Sequence, residues 1–461
     1  MKQYDVIVIG AGPAGIFAGL ELAEKGFRVL IFEKGRDIAA RSCPKETHNT
    51  PCVNCKPCDI VCGWGGAGAF SDGKLTLTTE YGGILDEYMD KPELLKLIEY
   101  VDSVYGKFGG SDRKVYGDEK SFAVRHLQRI SAAADLNLIP ARIRHLGTDV
   151  NFQILTRMRE HLNDKIEIRS NTTVEKIVVQ NGAYIGVEVK GELIKSKYLV
   201  AAPGREGSEW FVDQAARLGL GMMTNPVDIG VRVEMPATVM EHITDVVYES
   251  KLVYYSKSFD DRVRTFCMNP YGYVVTENND GLMTVNGHSY ADRKSNNTNF
   301  ALLVSKSFTE PFKEPIAYGK YIARLANLLG GGVIVQRLGD LLDGRRSTPE
   351  RIRRGMVEPT MKDATPGDLS LVLPYRHLVD IREMFEALDK VAPGANSRHT
   401  LLYGVEVKFY SSRLELSNKL ESRIPNFFAA GDGAGVTRGL AQASVAGVVV
   451  AREIIQREGG R

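Results

Sequence analysis

The stretch from Asp5 to Lys25 constrains this chain most: an apolar run enters Gly10-Ala11-Gly12-Pro13-Ala14-Gly15 and leaves as a helical repeat. Val6, Ile7, Val8 and Ile9 are uniformly apolar, as in a strand buried on both faces of a parallel sheet. Ile16, Leu20 and Ala23 then recur at helical spacing as far as Gly26. Gly10 permits the tight bend, Gly12 lets phosphate approach the backbone, and Gly15 lets helix and strand pack closely, so a pyrophosphate meets the N–H groups at the helix N-terminus. Phe27 to Phe32 reads as a second strand ending at Glu33, about twenty residues past the last of these glycines, where a carboxylate accepts from ribose hydroxyls. An ordinary strand-turn-helix is the competing reading of the glycines, and the flanking strand pattern and Glu33 weigh against it.

A chain of 461 residues is long for one core, so two structural units are expected. Its net charge of +2 gives no electrostatic reason to expect a nucleic-acid partner. No apolar run reaches the ~18 residues a membrane span needs, and the first residues enter a core strand without a signal-peptide pattern, which predicts a cytoplasmic location.

After Glu33 come a cysteine-rich stretch, 43–62, and the glycine-rich segment Gly63 to Lys74, whose backbone must lie close to something. A mostly helical insertion is expected from about 84 to 162. Strands follow, with Asn181-Gly182 as a hairpin signal, ending in the apolar Tyr198 to Ala202 and Pro203-Gly204. Residues 227–398 contain no second nucleotide fingerprint: Gly330-Gly331-Gly332 follows a helical pattern, not a strand. The last segment returns to a strand, Asn426 to Ala430, then Gly431-Asp432-Gly433-Ala434-Gly435 and a small-residue helix through Gln442 and Ala443. The expectation is an α/β fold. A Rossmann-like dinucleotide domain made from 1–226 and 399–461, with a parallel sheet and a small antiparallel layer, encloses a mixed α+β substrate domain at 227–398.

Together these pieces resemble the glutathione-reductase-type flavoproteins with two dinucleotide-binding domains. More narrowly, Gly65-Gly66-Ala67-Gly68-Ala69-Phe70-Ser71-Asp72-Gly73-Lys74-Leu75, Thr265-Phe266-Cys267-Met268-Asn269-Pro270 and Tyr403-Gly404-Val405-Glu406 resemble a family of uncharacterised FAD-dependent dehydrogenases. The resemblance implies FAD, held by Gly10, Gly12, Ala14, Gly15, Glu33, Lys34, Gly65, Gly66, Ser71, Val174, Ala202, Gly204, Gly431, Asp432, Gln442 and Ala443. By it Val174 lies near the adenine, Asp432 on the ribityl side, and the Gly65-Gly66 loop along the flavin.

Five of the six cysteines lie between Cys43 and Cys62. Cys52, Cys55, Cys58 and Cys62 have the spacing of a bacterial ferredoxin run, with Cys43 as an alternative ligand, which predicts a [4Fe-4S] cluster feeding the flavin. Zinc stays open because thiolates serve both metals, and metal-free thiols or disulfides stay open as well. Cys267 is either a small buried hydrophobe or a thiol near the flavin acting as proton donor or nucleophile. His288 and Tyr290 are a candidate acid pair or an interface pair, and Glu406 a candidate base or the partner of Lys408. The run Arg345, Arg346, Arg351, Arg353 and Arg354 is either a solvated helix face or an anion site.

The expected activity is hydride or electron transfer between FAD and a small organic substrate, as in reduction of an activated C=C bond or its reverse. Electrons would come from a ferredoxin-like donor or NAD(P)H. A flavin and iron–sulfur relay to a partner protein, flavin-dependent RNA modification and a non-catalytic binding protein are the alternatives.

Overall fold

The computed structural model describes residues 4–44, 53, 55–223, 225–279, 281–290, 293–306, 308, 312, 314–408 and 412–459. The chain forms two compact units, one of residues 1–114, 144–225 and 410–461, the other of 115–143 and 226–409. Residues 115–143, inside the expected helical insertion, group with the second unit. The strand Asn137–Ile139 pairs there with Lys251–Tyr255, a long-range pairing that no local pattern announces.

In the first unit, the fully buried strand pattern of Val6, Ile7 and Val8 becomes the centre of a parallel sheet. Tyr4–Ile9 lies between Val29–Phe32, with Val6 opposite Val29, and Glu192–Ala201, with Val6 opposite Tyr198. Glu167–Arg169 extends the sheet beyond Val29–Phe32, and Phe427–Ala429 joins Glu192–Ala201 in parallel. The strand Glu192–Ala201 serves two layers, because its first residues pair antiparallel with Ala183–Val189. That strand in turn forms a hairpin with Lys176–Gln180, where Asn181 (φ 52°) and Gly182 (φ 77°) take the left-handed turn that Asn-Gly predicts. Helix Pro13–Glu24 follows the glycine turn and packs against helix Leu440–Arg457. A Cβ on Gly447 would lie 2.1 Å from the carbonyl oxygen of Ala14, so only glycine permits this approach.

The second unit is built on an eight-stranded sheet in the order Thr365–Pro366, Ile334–Arg337, Leu401–Lys408, Val227–Pro236, Asn297–Lys306, Arg262–Asn269, Lys251–Tyr255, Asn137–Ile139. Its core face carries Ile229, Val231, Val233, Phe300, Leu302 and Val304, packed in one cluster with Ile381, Met384, Phe385 and Leu388 of helix Tyr375–Val391. Helix Pro315–Gly330 stops at Gly331 (φ 65°), so this glycine run is a helix C-cap. Among the described residues no helix is long and apolar enough to cross a membrane.

Candidate functional site

The cofactor cradle of the first unit is assembled from glycine contacts. Gly10 (φ 98°) donates to the carbonyl of Phe32 at 2.7 Å, and a Cβ on it would lie 2.1 Å from the Ala202 carbonyl oxygen. A Cβ on Gly15 would lie 1.9 Å from the Gly10 carbonyl oxygen, whereas at Gly12 nothing stands within 4 Å. Gly12 caps helix Pro13–Glu24 without a side-chain acceptor, which leaves the first-turn N–H groups, Ala14 among them, to meet an anion. The glycine pair lies on this turn: Gly65 donates to the Ala11 carbonyl at 2.8 Å, and a Cβ on Gly66 would come within 3.1 Å of the Gly12 Cα.

Glu33, expected to accept from a ribose hydroxyl, is only 6% exposed and is engaged by backbone. Its carboxylate accepts the N–H of Ala11 at 2.9 Å, of Gly35 at 2.8 Å and of Gly63 at 2.9 Å. A carboxylate has about four acceptor positions, so roughly one is left for a ribose hydroxyl. Lys34 reaches the Glu206 carbonyl at 3.3 Å, Val174 is buried, and Ser71 donates to the Gly68 carbonyl at 2.7 Å.

The distant acidic turn returns to the same place. A Cβ on Gly433 would lie 2.3 Å from the Gly204 carbonyl oxygen, while Gly204 itself faces open space and a Cβ on Gly431 would stand 3.2 Å from that of Ala14. Asp432 accepts from Thr437 at 2.7 Å and has Arg205 at 3.9 Å. Burial raises its carboxyl above the usual range, against the pull of Arg205, Thr437 and Arg438. Gln442, opening the last helix beside Ala443, donates to the Tyr81 carbonyl at 3.3 Å, and its buried Oε1 has no partner among the described residues. The buried Asn151 likewise donates to the Gly68 carbonyl at 2.7 Å with its Oδ1 unpartnered. Open space at Gly12 and Gly204, free helix-end donors and two orphaned buried oxygens fit a large polar cofactor with phosphates.

The cysteine run does not assemble in the same way. Cys52 lies outside the described residues, and among the described residues no group of three or more His, Cys, Asp or Glu side chains is placed to hold a metal. Cys55 is exposed, Cys43 and Cys58 are half-buried, and Cys62 is buried, with burial pushing its thiol up to about 12. The described thiols therefore do not fit a cluster or zinc. What braces this loop is Arg41, which sequence reasoning passed over: it donates to the carbonyls of Asp59 (2.9 Å), Ile60 (3.0 Å) and Trp64 (2.6 Å).

In the second unit, Cys267 sits at an irregularity of strand Arg262–Asn269 with φ 43°, a region costly for a side chain with a Cβ. Its carbonyl is held by the buried Arg232 at 2.6 Å and by Asn269 at 3.0 Å. The Lys251 ammonium lies 4.5 Å from the centre of the neighbouring Phe266 ring and that of Lys408 6.0 Å from it. Burial pushes Lys251 down to about 8, opposed by Glu249 and by Cys267. Burial alone would lower Lys408 too, but Glu406, Glu277 and Cys267 carry it above its ordinary range. Glu406 is fully buried, 3.0 Å from Lys408 and 3.4 Å from Arg232, so its carboxylate is the counter-ion of both. His288 and Tyr290 stack edge to face at 4.5 Å, with Arg293 4.7 Å over the Tyr290 ring. The arginine run divides: Arg345 and Arg351 bind the buried Asp340 at 3.0 and 3.2 Å, and Arg353 pairs with Glu350 on the surface.

Residues 226–409 match the family described as FAD-dependent protein, C-terminal domain-like, and residues 8–58 match the NAD(P)-binding Rossmann-like domain. A Clostridium beijerinckii protein described as uncharacterized is 28% identical over 98% of this chain and 80% of its own length. Escherichia coli Protein FixC is 23% identical over 52% of this chain, which spans 45% of that protein. Among solved structures, glycine oxidase from Geobacillus kaustophilus aligns with 99% of this chain and 95% of its own at 13% identity and a TM-score of 0.42.

Proposed function

We propose that this chain, which belongs to the FAD-dependent oxidoreductases, transfers hydride between its flavin and a small organic substrate, reducing an activated C=C bond or running the reverse. Bound FAD supplies the two-electron redox chemistry. Gly12 and the first turn of helix Pro13–Glu24 take the pyrophosphate, the remaining acceptor position of Glu33 takes a ribose hydroxyl, and Gln442 and Asn151 offer their free oxygens to cofactor donors. The observation that carries the substrate half of this reading is the Cys267 turn: a half-buried thiol in a strained backbone, electrostatically coupled to the Lys251 and Lys408 ammonium groups. In the reductive direction Cys267 Sγ gives up the proton and is left as a thiolate whose charge is favoured by those two cations. In reverse it takes the proton back. NAD(P)H or a ferredoxin-like protein is the electron donor, and the cysteine run carries no step.

The test is to purify the protein, measure flavin and iron, and compare it with Cys267→Ala. The parent carries stoichiometric FAD. The variant keeps its FAD and its reducibility by dithionite but loses turnover of an activated alkene by about a hundredfold or more, the scale of a lost general acid. A colourless parent that fails to take up FAD refutes the flavin assignment, and undiminished turnover in Cys267→Ala refutes the acid.

A further inference from the structure

Helix Tyr375–Val391 begins at a cavity of about 390 Å³ in the second unit, within the range of small-molecule sites. Pro374 caps the helix without a side-chain acceptor, and its first turn holds no acidic residue, so the N–H groups and the positive end of the helix dipole are unopposed there by the helix itself.

His377, in that first turn, lines the cavity and is only 2% exposed, yet neither ring nitrogen has a hydrogen-bond partner among the described residues. Burial, reinforced by Lys306, pulls this imidazole down to about 4, so at neutral pH it offers one N–H donor and one lone pair. A buried polar ring left with both unused is costly unless something fills the space beside it.

Charge and shape narrow the occupant. Lys306 and Arg376 both bind the single carboxylate of Asp261, Arg376 through Nη2 at 2.8 Å, which leaves one cation in excess among the three. Those two partners hold Asp261 well below the usual carboxylate range against the pull of burial, so it stays an anion. Asp380, one turn along the helix from His377, is pushed up to about 6 by burial and by Asp261, so the excess is largest in mildly acid solution. The lining also has an aromatic part: Phe308 and Tyr318 stand 5.0 Å apart at 63°. We propose that this cavity binds a small aromatic monocarboxylate, its carboxylate taken by Lys306 and the helix N-terminus, its ring by Phe308 and Tyr318, and its remaining hydrogen bond by His377. The site is separate from the Cys267 turn and stands independently of the flavin assignment.

Calorimetric titration of the FAD-loaded protein at about pH 5.5, just below the Asp380 value, with benzoate and with 3-phenylpropionate tests it, with benzamide as the uncharged control. Expected is saturable binding of at least one carboxylate, with benzamide about tenfold weaker or more, the scale of one lost charged hydrogen bond. Lys306→Met and His377→Phe, each checked for an intact fold by circular dichroism, both weaken it. The second variant keeps the ring's bulk and removes only the two nitrogens. The proposal is overturned if neither carboxylate binds, if benzamide binds as well as benzoate, or if binding persists unchanged in both folded variants.

Discussion

The Glu33 carboxylate accepts the backbone N–H of Gly63 at 2.9 Å, joining the end of the second strand to the loop that carries the glycine pair. The same side chain holds Ala11 in the phosphate turn and Gly35 behind it. One carboxylate therefore ties three backbone segments of the cradle together before any cofactor arrives. Glu33→Gln replaces one acceptor oxygen by a donor that faces N–H groups. Loss of about 1–3 kcal/mol of stability is expected from the unsatisfied donors, together with at least tenfold weaker FAD binding. Urea denaturation and flavin titration of the apoprotein measure the two separately.

Gly12 and Gly15 should separate function from folding. Gly12 has φ −76° and no neighbour within 4 Å of a built Cβ, so Gly12→Ala folds with a cost under about 1 kcal/mol. The added methyl occupies the space a pyrophosphate needs, and FAD affinity falls about tenfold or more. Gly15→Ala sets a Cβ 1.9 Å from the Gly10 carbonyl oxygen and is expected to yield little folded protein. Thermal melts of the two variants check the contrast.

Helix packing sets the third prediction. Gly447→Ala forces apart the two helices that meet at the Ala14 carbonyl and costs about 1–3 kcal/mol, as overpacking does. Gly332→Ala, with no atom within 4 Å and no positive φ, stays within about 0.5 kcal/mol of the parent. Denaturation midpoints of the pair provide the comparison.

Lys251 gives a pH signature. Its folded pKa of about 8 lies below the unfolded value of 10.5, so between those pH values the unfolded chain binds the extra proton. Stability contributed by this group is therefore lowest below about pH 8 and recovers as pH rises towards 10.5. Lys251→Met removes that slope, and relative to it the parent gains stability from pH 8 to pH 10.5. Chemical denaturation of both proteins across this range reads the difference. The opposite sign would mean that the ammonium is better stabilised inside the protein than in water.

Where the sequence was legible, the information was local. Gly10 to Gly15 and the Asn181-Gly182 hairpin each encode a backbone conformation within a few residues, and each takes that conformation. Glu406 and Lys408 announced a pairing by proximity, but the buried Arg232 that completes it comes from a strand far away in sequence. Arg41 and Asn151 carried no signal, because a lone Arg or Asn between periodic segments looks the same whether it is solvated or holds a loop from inside.

The sequence by itself determined the dinucleotide turn, its acidic partner at Glu33 and the return of the chain at Asp432, because glycine tolerance and apolar periodicity are properties of short stretches. Only the tertiary structure decided that Glu33 is shared among three backbone segments, that residues 115–143 join the second unit, that Glu406 is a counter-ion, and that His377 opens a helix at a cavity with its ring unpartnered. Each depends on which distant groups meet and how much water they exclude, and no short stretch of chain encodes that.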